Sequence, residues 1–117
     1  MTIKIYHNPR CSKSRQTLQI IESRGVEPVI VDYLATPPGA DELVRIASLL
    51  AIPLADLLRR GEAAFKEAGN SVPLDDERQL AVWMHDNPKV IQRPIVVNEE
   101  TDRAAVGRPP ENVLDIL

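Results

Sequence analysis

Apolar and polar residues alternate over Ile3-Lys4-Ile5-Tyr6, then yield to a polar stretch running from His7 to Arg15. The alternation predicts a strand over residues 2–6, apolar enough to be buried. From about Ser12 to Arg24 the spacing turns helical, with Ser14, Leu18 and Ile21 on one face and Gly25 as the stop. Pro28 to Tyr33 is rich in β-branched residues and predicts a second strand. Strand, short helix and strand at this spacing make a right-handed βαβ unit with parallel strands.

The middle of the chain reads as helices. Thr36-Pro37-Pro38-Gly39 is a turn, followed by Asp41 and Glu42 in a first helical turn and an inward stripe of Leu43, Ile46, Ala47 and Leu50. A short helix is predicted from Pro53 to Arg60, ended by Gly61, and another over 62–68. Asp75-Asp76-Glu77 opens a helix that buries Leu80, Trp83 and Met84, carries His85 in its last turn and stops at Pro88. Pro94 to Val97 then predicts a third strand and Arg103 to Val106 a weaker fourth, with a hairpin loop over 98–102. Pro109 or Pro110 starts a final helix through Val113, Leu114 and Leu117. The order βαβ, helices, ββα is that of an α/β thioredoxin-like fold: a mixed four-stranded sheet with a helical insertion over about residues 39–88.

Composition narrows the picture. A chain of 117 residues is most simply one domain with a core that needs no disulfide. No run approaches the roughly 18 apolar residues of a membrane span, and charges interrupt the N-terminus where a secretory signal would be apolar. The expected location is the cytoplasm, with no membrane partner. The net charge of −3 supplies no global positive field, so nucleic acid is not an expected partner. There are no heptads and no apolar surface stripe, which makes a monomer the expected state. The single cysteine, Cys11, rules out an internal disulfide and a cysteine-based zinc cluster, and no other metal site is expected. A redox cycle at Cys11 must recruit its second thiol from outside.

Cys11 falls where the first strand hands over to the first helix. Unpaired backbone N–H groups and the positive end of the helix dipole favour a thiolate there. His7, Arg10 and Arg15 are candidates to add positive potential, and Ser14 to donate a hydroxyl hydrogen bond. A free thiol titrates near ~8.5, and such surroundings pull it to ~7 or below. A buried inert cysteine is the commonest kind, but it would not be framed by a histidine, two arginines, a lysine and two serines. Serine at residue 14 removes a Cys-x-x-Cys dithiol site, and Thr17 stands where a phosphatase-type anion loop has its arginine.

Three more arginines sit at element ends: Arg59, Arg93 before Pro94, and Arg108 before Pro109. In a thioredoxin-like fold the proline that opens the third strand is cis and faces the active cysteine, which predicts a cis Arg93–Pro94 bond and an Arg93 beside Cys11. Guanidinium forks bind a tetrahedral oxyanion bidentately and keep their charge. Any one of the three reads equally well as a surface cation; the three together read less well that way.

His7-Asn8-Pro9-x-Cys11-x-x-Ser14-Arg15, Leu57-Leu58-Arg59, Arg93-Pro94-Ile95-Val96-Val97 and Gly107-Arg108-Pro109 together resemble the glutaredoxin-dependent arsenate reductase family. The resemblance runs from residue 3 to the C-terminus and includes Tyr33-Leu34-x-x-Pro37-Pro38 and Glu42-Leu43. It implies Cys11 as nucleophile, Arg59, Arg93 and Arg108 as an oxyanion cradle, and His7 and Ser14 as the groups that lower the thiol pKa. Arg15 and Pro94 are additional candidates for the site. It further implies arsenate as substrate, glutathione as co-substrate without a bound cofactor, and glutaredoxin as protein partner. Ser12-Lys13 departs from the family, whose better-known members have Gly-Thr after the cysteine.

Two other functions share the fold. A monothiol glutathione-dependent oxidoreductase would use the cysteine without needing the cradle. An RNA-polymerase-binding regulator of the same superfamily often carries a Cys-x-x-Cys switch, which Ser14 removes here, and has no evident use for three arginines.

Overall fold

The computed structural model describes residues 2–117 as two compact units, one made of residues up to Thr36 with 93–117 and the other of 37–92. The first carries the sheet. Strands β1 (Ile3–His7) and β2 (Val29–Asp32) flank helix α1 (Ser12–Ser23) in sequence, and β3 (Ile95–Asn98) and β4 (Arg103–Val106) form the hairpin expected near the C-terminus. The sheet order is β2-β1-β3-β4, with β1 and β2 parallel and both β1–β3 and β3–β4 antiparallel. This is the mixed sheet read from the sequence.

Ile3, Ile5, Ile21 and Val96 meet Val113 and Ile116 in one buried cluster, to which α1 adds Leu18 and Ile20. Each such side chain contributes about 1.5–3 kcal/mol on burial. Gly25, at φ 76°, donates its N–H to Glu22 O (3.0 Å) and ends α1 in the left-handed conformation that glycine adopts without a Cβ clash. Edge strand β2 leaves Val29 and Ile30 about half exposed, so its β-branched residues made it a strand without making it core.

In the 37–92 unit, α2 (Ala40–Leu50) packs on α4 (Glu77–Asp86), burying Leu43, Ile46 and Ala47 against a helix that contributes Leu80, Ala81 and Met84. Asp76 caps α4 by accepting the Gln79 N–H (3.1 Å). Trp83, expected in the core, is only partly buried. Helix α3 spans Ala63–Ala68.

Two helical expectations are corrected. The predicted helix from Pro53 to Arg60 is a single 3-10 turn, Leu54–Leu57. Leu58 then pairs with Ile91 as an isolated antiparallel bridge, flanked by Arg59 N–H to Val90 O (2.6 Å) and Gln92 N–H to Leu57 O (2.8 Å). A non-local backbone ladder outcompetes the local helical one. The final helix is also 3-10, over Pro110–Ile116. Among the described residues no helix is long and apolar enough to cross a membrane.

Candidate active site

Asn8-Pro9-Arg10-Cys11 is a tight turn between β1 and α1. Proline suits its second position, and the Cys11 N–H returns to Asn8 O (3.0 Å). The Asn8 side chain tightens the turn by accepting the Arg10 N–H on Oδ1 (3.0 Å). Cys11 thereby becomes the N-cap residue of α1 with extended backbone dihedrals, φ −95° and ψ 124°. An N-cap side chain faces the free N–H groups of the first turn. Here that side chain is a partly exposed thiol.

The sulfur is acted on by opposed influences. Partial burial pushes the thiol up. It is outweighed by the nearby Ser14 backbone N–H, the Arg93 side chain, the Lys13 backbone N–H and the charge of Arg108, so the thiol titrates below its ordinary value. Arg108 Nη2 stands 3.4 Å from Sγ, and its Nε donates to Arg93 O at 2.8 Å. Arg93 precedes Pro94 through a cis peptide bond, as expected, and Arg108–Pro109 is cis as well. Thus Cys11, Arg93, Pro94 and Arg108 converge within one unit.

His7 and Ser14 are placed differently from the expectation. Ser14 is fully buried, and its hydroxyl bonds to His7 Nδ1 (2.7 Å) while accepting the Asn8 N–H (3.0 Å). The backbone N–H of Ser14, rather than its hydroxyl, is the group that stabilises the thiolate. Burial lowers the His7 pKa from its ordinary value, opposed by Asp32 and helped by Arg15, which favours the neutral ring over the cation. Arg15 Nη1 donates to Pro9 O (2.9 Å), bracing the turn. Arg59 lies in the other unit, where its Nε is 3.5 Å from Glu62 Oε1.

The sequence reading missed Asn8 as a structural member of this loop, although the Asn-Pro pair is a turn signal. Gly107 entered only as part of the Gly107-Arg108-Pro109 motif, and Thr17 and Asn112, which bond around the Arg108 turn, carried no signal for this role.

A depressed thiol pKa is directly measurable. The alkylation rate of Cys11 should rise with pH through an inflection below the free-thiol value of ~8.5. An inflection at or above that value would remove the thiolate from this site.

A thiol capping the first helix of a mixed β2-β1-β3-β4 sheet, with a cis proline opening β3, defines a single-cysteine thioredoxin-like protein. The chain belongs to the ArsC family, whose model matches residues 6–116. Among its relatives, YfgD of Escherichia coli K12, an uncharacterised protein, is 46% identical over 98% of this chain and 96% of its own length. An arsenate reductase of Neisseria meningitidis serogroup B is 42% identical, covering 98% of this chain and 97% of that protein. The solved arsenate reductase from Vibrio cholerae superposes with a TM-score of 0.91 at 41% identity, covering 100% of this chain and 98% of that one.

Proposed function

We propose that the protein reduces arsenate to arsenite in the cytoplasm, as a monomer, with glutathione and glutaredoxin as thiol donors. The observation that carries the reading is a cysteine thiol depressed in pKa with two guanidinium groups on its sulfur. Family membership and relatives that are arsenate reductases support the substrate. Arg93 and Arg108 screen the repulsion between an anionic nucleophile and an anionic substrate, and the family resemblance assigns Arg59 an oxyanion-binding role as well.

The Cys11 thiolate attacks arsenic, an S–As bond forms, and one arsenate oxygen leaves as water after gaining protons. Glutathione adds a second sulfur to arsenic, displacing another oxygen as water. A glutaredoxin thiolate then attacks the glutathione sulfur. The new S–S bond leaves with glutathione, the electron pair of the broken As–S bond stays on arsenic, and arsenic(V) becomes arsenic(III). Hydrolysis of the Cys11–arsenic(III) adduct frees arsenite and the thiol. One protein thiol is required, and one is present.

The test is arsenate-dependent oxidation of NADPH coupled through glutaredoxin and glutathione reductase. Turnover that requires arsenate is the expected result. NADPH oxidation with a glutathionylated substrate and none with arsenate would favour the monothiol oxidoreductase instead, and silence with both would favour the polymerase-binding regulator.

A further inference from the structure

Arg108 reaches the Cys11 sulfur although its own side chain is exposed, so little side-chain packing fixes it. Its Nε is tethered to Arg93 O (2.8 Å), and the base of the side chain is placed by the backbone turn that follows β4. Arg108 N–H bonds to Val106 O (2.9 Å), and Gly107 N–H bonds to Pro94 O (2.9 Å). From the C-terminal 3-10 helix, the Asn112 side-chain amide donates to Val106 O (3.3 Å) and to Arg108 O (3.1 Å). One –NH₂ group, with its two hydrogens, thus holds the carbonyls on both sides of Gly107.

Gly107 itself is buried at a close approach. A Cβ there would overlap Thr17 Oγ1 and stand 2.7 Å from the Pro94 ring. Thr17 belongs to α1, the helix that Cys11 caps, and Pro94 adjoins Arg93. The helix bearing the thiol and the segment bearing Arg93 therefore close on the turn bearing Arg108 with only a glycine between them.

We infer that Gly107 and Asn112 are positioning residues, which hold the Arg108 guanidinium on the Cys11 sulfur. The glycine lets the turn seat against α1, and the asparagine keeps it from opening. The effect on arsenate binding rests on the function proposed above, whereas the effect on the thiol does not.

The test follows Cys11 alkylation against pH in the full chain and in Asn112→Ala, Gly107→Ala, Arg108→Ala and Arg108→Ala/Asn112→Ala, with thermal melts on each. Asn112→Ala should move the inflection upward, toward but not past that of Arg108→Ala. It should also raise the KM for arsenate about fivefold, the change expected from one net hydrogen bond, with a smaller effect on kcat. Gly107→Ala should act in the same direction and more strongly. Because Asn112→Ala removes only an exposed amide, it decides the question even when Gly107→Ala does not fold. In the Arg108→Ala background the asparagine change should shift nothing further, since its effect runs through that guanidinium.

The inference is overturned if folded Asn112→Ala keeps the parent inflection, or if its shift persists undiminished without Arg108. A parent that does not reduce arsenate, with the inflections moving as described, refutes the proposed reaction and leaves the positioning role standing.

Discussion

Arg93→Ala and Arg108→Ala should each lower arsenate kcat/KM about 10-fold or more while leaving the fold intact. Arsenate is anionic at neutral pH and Cys11 is held toward its thiolate form, so nucleophile and substrate repel each other until cations stand between them. The N-terminus of α1 offers only about 0.3–1 kcal/mol to an exposed anion. A charge-assisted hydrogen bond contributes about 1.5–3 kcal/mol, and solvent screening at the exposed Arg108 favours the lower end. About 1.4 kcal/mol is one power of ten in rate, which sets the expected loss. Lysine at either position should rescue only in part, because a point charge cannot reproduce the fork. The coupled assay with thermal melts checks this, and folded alanine variants that turn over arsenate at the parent rate would sink the oxyanion role.

The elements around Cys11 were legible because each rests on a local signal. The apolar alternation of Ile3 to Tyr6, the β-branched run at Val29 to Val31 and the left-handed stop at Gly25 all describe nearest neighbours in the chain. Leu54 to Arg60 was not legible in the same way. Its apolar spacing suits a helix, but Leu58 and Arg59 take backbone partners more than thirty residues later, at Ile91 and Val90. The last helix was placed correctly and given the wrong type, since proline at its start permits both α and 3-10 geometry.

The site divides along the same line. Cys11 at the N-cap could be read from the strand–helix handover, and a cis Arg93–Pro94 bond from the order of elements. The roles of His7 and Ser14 could not, because they depend on burial. Full burial of Ser14 turns its hydroxyl toward His7 and Asn8, and burial of His7 lowers the ring's pKa. Residue type announces which hydrogen bonds are available, and only packing decides which are made. Gly107 was visible only as part of a motif and Asn112 not at all: their meaning is a close approach and a bond pair that exist only once β4 meets α1 and the C-terminal 3-10 helix.

Cys11→Ser should have the largest effect of all, and it should separate activity from stability. Serine is among the preferred N-cap residues, and its hydroxyl can accept the first-turn N–H groups in place of the sulfur. The variant should therefore fold with a melting temperature at or above that of the parent. Its hydroxyl stays protonated at neutral pH, however, and no second cysteine exists to substitute as nucleophile. Arsenite formation should fall to the uncatalysed background. The same single-thiol constraint applies to the parent: reducing arsenic(V) requires two electrons, and one protein sulfur that cannot close an internal disulfide does not supply them. Parent protein mixed with arsenate alone should release no arsenite, and added glutathione with glutaredoxin should start turnover. Arsenite released by the Cys11→Ser variant above background, or by the parent without any external thiol, would overturn the assignment of Cys11 as nucleophile and of an outside thiol as reductant.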